Sequence, residues 1–247
     1  MKRAAKAYKN INFLKSREAR TLRILAEYLE PEKRFKHENI NHTVVFFGSS
    51  RIQHSGNDVN GTHHYYRVAE ELAYHLARFS KELEKSGDGF AICSGGGPGI
   101  MEAANRGADR AGEKSIGLNI ALPHEQEPND FISPSLNFEF NYFFMRKLWF
   151  LYHAKAIVFF PGGFGTMDEL FETLTLVQTK KLEKARLPIL LYDRHHWQQI
   201  INFDLMAELD LIAPEDKELF HYFDSVTEGL EYLKPRLKRA IAEFHLD

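Results

Sequence analysis

The stretch that most constrains this chain runs from Pro161 to Glu169 and reads PGGFGTMDE. It follows the apolar run Ala156, Ile157, Val158, Phe159 and Phe160, which has the length and β-rich composition of a buried strand. It precedes Leu170 to Gln178, where the apolar spacing is helical. A strand, a glycine turn and a helix start, in that order, build an anion site. Gly162, Gly163 and Gly165 permit positive φ and close approach of backbone N–H groups to a ligand. The helix start adds free N–H groups and the positive end of its dipole, and Thr166 is placed to cap it. Glu169 stands just behind. A carboxylate beside a bound phosphate does not help affinity, so its presence points to chemistry.

The same pattern recurs along the chain. Thr43 to Phe47 predicts a strand running into Gly48, Ser49 and Ser50. Phe90 to Cys93 predicts a second, breaking into SGGGPG at 94–99, and Ile100 to Ala111 a helix after it. Further strands are expected at Ser115 to Ala121, Leu136 to Phe140 and Pro188 to Tyr192. Helices are expected at Tyr65 to Lys85 (with Val68, Leu72, Leu76, Phe79 and Leu83 as core stripe), Tyr142 to His153, His196 to Leu211 and Val226 to Phe244, kinked at Pro235, with a short one at Asp216 to Phe223. Gly87 to Gly89 ends one helix, and Pro123 to Pro134 is a polar loop. At the front, Ser16 to Leu29 predicts a helix capped by Ser16, with Leu22, Leu25 and Leu29 on one face, packed on the main domain or on a second subunit. Pro31 closes it, and a polar surface linker runs to Asn41. The expected division is residues 1–41 as N-terminal helix and linker, and 42–247 as one domain with a helical C-terminal extension. Alternating strands and helices imply an α/β fold, a Rossmann-like doubly wound parallel sheet with helices on both faces. Ligands of such sheets bind at the carboxyl ends of the strands. That places Ser49, Gly96, Gly97 and the Gly162 loop on one edge.

Composition narrows the class. A formal charge of −2 gives no reason to expect nucleic-acid binding. The single Cys, Cys93, excludes an intrachain disulfide, fits a reducing compartment, and reads as a small buried hydrophobe. No apolar run approaches the roughly 20 residues of a membrane helix, and MKRAAKAYKN lacks the apolar segment of a signal peptide. A cytoplasmic protein without membrane or nucleic-acid partners is the expectation.

If the helix Tyr142 to His153 packs antiparallel on the strand after it, Arg146 in its first half approaches the Gly162 loop and Glu169. This suits a phosphorylated substrate whose transition state is positively charged. In N-glycosidic cleavage of a nucleoside monophosphate, the glycine loop and Thr166 hold the 5′-phosphate, and the C–N bond breaks with oxocarbenium character. Glu169 then stabilises that charge or activates water, and Arg146 keeps Glu169 ionised. Plainer readings stand beside this one. Glu169 reads equally as a first-turn acid favoured by the helix dipole, and Arg146 as a surface ion-pair partner. Asp168 points about 100° away around the helix, and Glu102 is a similar first-turn acid. The aromatic cluster Phe138 to Phe150 reads as core or subunit interface. GGGPGI lacks the third glycine of a dinucleotide fingerprint, and no Walker lysine motif occurs. His63, His64, His195 and His196 lack a third metal ligand at suitable spacing, so no metal and no cofactor are expected.

SGGGPGIMEAANRGA at 94–108, MRK at 145–147 and PGGFGTMDE at 161–169 resemble the LOG ("Lonely guy") family of cytokinin-activating phosphoribohydrolases, many once labelled lysine decarboxylases. The resemblance spans roughly Thr43 to Tyr192 and is closer to bacterial members, with Phe143, Phe144 and Met145 before the arginine. It implies hydrolysis of AMP or cytokinin riboside 5′-monophosphates to free base and ribose 5-phosphate. It puts the catalytic pair on Arg146 and Glu169, and substrate binding on Lys147, on Gly163, Phe164, Gly165, Thr166, Met167 and Asp168, and on Thr175. A homodimer or higher homo-oligomer is expected. The alternative is a carrier that binds a nucleotide or molybdenum cofactor without turnover. A decarboxylase would need pyridoxal phosphate on a lysine, and no lysine is marked for it.

Overall fold

The computed structural model describes residues 3–54, 61–84, 89–122, 127–182 and 187–242. In chain order the elements are α1 (Ile11–Lys15), α2 (Arg20–His37), β1 (Thr43–Phe47), α3 (His63–Glu84), β2 (Ala91–Ser94), α4 (Ile100–Arg110), β3 (Ser115–Ile120), β4 (Asn137–Phe140), α5 (Phe143–Tyr152), β5 (Ala154–Phe159), α6 (Phe164–Gln178), β6 (Ile189–Tyr192), α7 (Arg194–Ile200), α8 (Phe203–Glu208), β7 (His221–Phe223) and α9 (Val226–Ala242). The strands form one sheet in the order β4-β3-β2-β1-β5-β6-β7. Every pairing is parallel. The first four strands step outward one way and the last three the other, so the strand order reverses between β1 and β5. The expected doubly wound α/β fold is what the chain adopts.

Strands buried on both faces read as continuous apolar runs, and β1 shows why. Val45 and Phe47 enter the core under α2, α5 and α6. Val44 and Phe46, one residue out of phase, enter the core under α3, α4 and α9. The predicted stripe of α3 sends Leu72, Leu76 and Phe79 fully into that second core. On the same side, α4 lies so close to α3 that a Cβ on Gly107 would strike the Glu70 carbonyl.

Several boundaries differ from the sequence expectation. Pro31 does not close the N-terminal helix: α2 continues through it to His37, and Phe35 is buried. Proline lacks the N–H that would satisfy the carbonyl of Glu27, and the indole of Trp149 donates to that carbonyl instead, at 2.9 Å. The segment expected as a surface linker therefore carries a core residue, with Phe35 and Trp149 rings 5.3 Å apart. Ser16 caps no helix start; it follows α1, and Ala19 precedes α2. The helix expected over 196–211 is two, because the Asn202 side chain accepts from Leu205 N–H and starts α8. The helix expected over 216–223 is a 3-10 turn (Pro214–Leu219) followed by strand β7. The helix ends expected at Lys85, Gly87 and Phe244 and the loop start at Pro123 lie outside the described residues.

The N-terminal helix also sets the site helix. The Glu27 carboxylate accepts the N–H groups of Asn141 (2.9 Å) and Tyr142 (3.2 Å) at the start of α5. It supplies the cap that Tyr142 itself does not provide and places a negative charge where the α5 dipole is positive.

Candidate active site

The reversal of strand order at β1 and β5 leaves a crevice at the carboxyl edge, where open α/β sheets bind ligands. A cleft of about 800 Å³ occupies it, walled by Gly48 to Arg51, Gly95 and Gly97, Asn119 and Ile120, Arg146, and Gly162 to Glu169. The loops are stitched together by their backbones. Ser49 N–H donates to Pro161 O at 3.0 Å, and Ile100 N–H donates to Ser49 O at 3.1 Å. The latter approach needs a glycine at 99: its φ is +74°, and a Cβ there would strike the Ser49 carbonyl.

The glycines of PGGFGT work differently from expectation. Positive φ occurs at Gly96 and Gly99, not at Gly162, Gly163 or Gly165. What these three supply is a missing Cβ. At Gly162 the Thr166 side chain fills that space, while nothing lies within 4 Å at Gly163 and Gly165, whose backbones face the cleft. Helix α6 begins at Phe164 with Gly163 as its cap. Thr166 therefore lies within the first turn and is buried against Gly162, and it does not cap the helix.

Arg146 comes from α5, which packs chiefly on β3 and β4, not on β5 as expected, and it lines the cleft together with Glu169. Its guanidinium is held by carbonyls: Nε donates to Leu118 O at 2.7 Å, and Nη2 reaches Gly95 O at 3.5 Å. The guanidinium carbon lies 5.0 Å from the Phe150 ring. A Cβ on Gly95 would meet Nη2 at 2.5 Å and Met101 Sδ at 2.6 Å, so any side chain at 95 would have to displace the ends of these two side chains. Among the described residues no ion pair joins Arg146 to any carboxylate, which removes the surface-pair reading.

Glu169 is the sixth residue of α6, too far in to be a first-turn acid. It is 7% exposed. Burial pushes its pKa up to about 7, against the opposing pull of Lys147 and Arg146. The expectation that Arg146 keeps Glu169 ionised is thereby corrected: desolvation outweighs the cations. Burial also lowers the pKa of Arg146, with Glu169 acting the other way.

The remaining sequence candidates divide. Ser49, Gly97, Phe164, Met167 and Asp168 line the cleft, and Gly96 sits buried in the loop beneath it. Lys147 and Thr175 lie elsewhere, in a shallower hollow of about 630 Å³ on the outer side of α6. Lys147 pairs there with Asp168 and Glu172, both at 2.9 Å. Phe164, 96% exposed, borders both spaces. Glu102 accepts from the Tyr66 hydroxyl at 2.7 Å, away from the cleft, and Cys93 is buried. Sequence reasoning missed Arg51, Met101, Asn119, Ile120, Leu122, Phe143 and Ile200 as lining residues. The edge rule finds Asn119 and Ile120, since they end β3. Ile200 arrives from α7, beyond any local signal.

Solved structures that share the fold include three similar to this chain over most of its length. The X-ray structure of TM1055 aligns with a TM-score of 0.51 and 21% identity, over 78% of this chain and 99% of that one. The molybdenum cofactor binding protein from the phototrophic bacterium Rippkaea orientalis gives 0.50 and 19%, over 78% and 94%. The Moco carrier protein from Chlamydomonas reinhardtii gives 0.51 and 19%, over 81% and 99%. No curated protein matches the sequence. The family described as "Possible lysine decarboxylase" matches residues 101–233, just over half of the chain, with Arg146, Glu169 and the PGGFGT loop inside the match. With its cleft at the strand reversal, this chain belongs to that family, the LOG family.

Proposed function

We propose that this protein hydrolyses the N-glycosidic bond of nucleoside 5′-monophosphates, AMP or a cytokinin riboside 5′-monophosphate, releasing free base and ribose 5-phosphate. One observation carries the reading: a buried carboxyl with a pKa of about 7 shares a cleft with a guanidinium and a bare glycine loop at a helix start. The phosphate belongs on the Gly163 and Gly165 backbone at the start of α6, where the helix dipole favours anions. The sugar then lies toward Glu169, one and a half turns further along α6. As the C1′–N bond breaks, its electron pair leaves with the base nitrogen, which takes a proton, and positive charge grows on the sugar. Ionised Glu169 faces that charge and accepts a proton from the water that attacks C1′. A base with a pKa near 7 is matched to this task at neutral pH. Arg146, held on the Leu118 and Gly95 carbonyls, orients the substrate.

The family description does not carry a decarboxylase reading. Pyridoxal chemistry needs a lysine in the cleft to form a Schiff base with the cofactor's aldehyde, and among the described residues lining the cleft there is none. Incubation with AMP and isopentenyladenosine monophosphate, followed by product analysis, tests the proposal. Free base and ribose 5-phosphate are expected. Folded protein that retains a nucleotide or molybdenum cofactor tightly and splits no nucleotide would instead match a binding or carrier role, like those of the Rippkaea orientalis molybdenum cofactor binding protein and the Chlamydomonas reinhardtii Moco carrier protein.

We also propose a homodimer through the outer face of α5 and α6. Phe144, Leu148 and Tyr152 share one face of α5, and they and Phe171 of α6 each leave between 38% and 51% of their surface exposed, the kind of apolar surface that marks an interface when it is contiguous. Sedimentation velocity is expected to read twice the 28.6 kDa of one chain, and Leu148→Glu to lower it. A wild-type mass of 28.6 kDa at micromolar concentration removes the dimer.

A further inference from the structure

We infer that Asn129 is a positioning residue for Arg146, acting through the glycine loop after β2; its kinetic consequence rests on the hydrolase reading above. A Gly95-Gly96-Gly97 run loses much backbone freedom on ordering and has no side chains with which to fix itself. The structure supplies a fastening from outside. Asn129 comes from the segment between β3 and β4. Its backbone N–H donates to Gly96 O at 2.9 Å. Its side-chain Nδ2 faces three oxygens: Gly96 O at 3.0 Å, Gly97 O at 3.1 Å and Asn105 Oδ1 at 2.9 Å. Its Oδ1 accepts from Phe131 N–H at 3.2 Å, which fixes the amide orientation.

The bonds close into a ring. Gly96 N–H donates to Ser94 Oγ at 3.0 Å, and Ser94 Oγ donates to Asn105 Oδ1 at 2.7 Å. Asn105, fully buried, donates its own Nδ2 to Ile116 O at 3.1 Å and so anchors the ring to β3. Both polar groups of the Gly96 backbone are thus tied down, and its φ of +77° is held. Gly95 precedes it in the chain, and the Gly95 carbonyl is one of the two acceptors of the Arg146 guanidinium. The other, Leu118 O, belongs to the sheet and needs no further support. Release of the ring therefore frees one of the two points that aim Arg146.

The site calls for an amide. A carboxylate at 129 has the same shape, yet would present lone pairs to three oxygens where Nδ2 donates hydrogens. Asn129→Asp consequently reverses the contact without changing the volume, and Asn129→Ala serves as the second variant if the first does not fold. A purely structural role would lower stability and leave turnover per folded molecule intact.

The full chain and both variants are compared by hydrogen exchange of the Gly95, Gly96, Gly97 and Gly99 amides, with α3 as internal control, and by kcat and KM on AMP. Expected are exchange about tenfold faster in that loop with α3 unchanged, and kcat lower by about tenfold or more with KM within about threefold, the scale of one or two lost hydrogen bonds. Unchanged loop exchange overturns the inference, as does faster exchange beside an intact kcat. Wild-type protein that splits no nucleotide overturns the hydrolase reading instead, and the exchange result then decides by itself whether Asn129 fastens the loop.

Discussion

Glu169→Gln is expected to abolish turnover while making the folded protein more stable at neutral and alkaline pH. The two effects have one cause. The carboxyl is buried, so its charged form is held at a cost, and the folded pKa is about 7 against an ordinary 4.5. Between those values the native state binds a proton more tightly than the unfolded chain does. Stability contributed by this group is fully present below pH 4.5, falls as pH rises toward 7, and is gone above it. Glutamine keeps the shape and carries no charge, so it escapes the fall. The gain is roughly 3 kcal/mol above pH 7 on the scale of one pKa unit per 1.36 kcal/mol, and it vanishes at pH 4. Denaturant midpoints at pH 4 and pH 8 read this directly. Turnover moves the opposite way, with a loss of at least about a thousandfold if Glu169 handles the proton of the attacking water. A Gln variant that still releases base from AMP removes Glu169 from the mechanism. A variant no more stable at pH 8 than at pH 4, relative to wild type, removes the buried charge as the reason.

Arg146→Ala comes second in size, with kcat/KM on AMP expected to fall by about a hundredfold or more, as for the loss of a preorganised charged donor. A second signature separates an electrostatic role from simple loss of shape. Arg146 pulls the pKa of Glu169 down, so its removal moves the alkaline-rising limb of the pH–rate profile above 7. Comparison of variant with wild type cancels the titration of the AMP phosphate itself. Arg146→Lys keeps a charge but cannot span Leu118 O and Gly95 O with a planar fork; it is expected to restore the pH midpoint more than the rate. An Arg146→Ala profile with the wild-type midpoint would show that the guanidinium does not act on Glu169.

Much of this arrangement was legible in the sequence because parallel strands are buried on both sides. Val44 to Phe47 and Ala156 to Phe160 are unbroken apolar runs; the first stops at Gly48 and the second at Pro161-Gly162, and these breaks mark the ligand edge. Topology then brought Arg146 to Glu169 without any local signal. What failed depended on partners far away in the chain. Pro31 ends a helix by every local rule, yet Trp149 takes up the carbonyl it orphans. Strand β7 has three residues, two of them half-buried, and no periodicity to read. The ionisation of Glu169 was misjudged because the sequence displays its cations and hides its burial. Lys147 and Thr175 sit near the cleft residues in sequence but line a neighbouring hollow, since adjacent helical positions point about 100° apart.

The strand reversal has a mechanical side. Ser49 and Gly97 belong to the half of the sheet built from β1 to β4, and Gly163, Gly165 and Glu169 to the half built from β5 to β7. Arg146 rides on the connection between them. A molecule seated in the cleft is therefore a cross-brace between two structural halves, gripped by each. At a hundred times its dissociation constant such a ligand adds about 2.7 kcal/mol to the folded state, and it does so at the seam where the two halves meet.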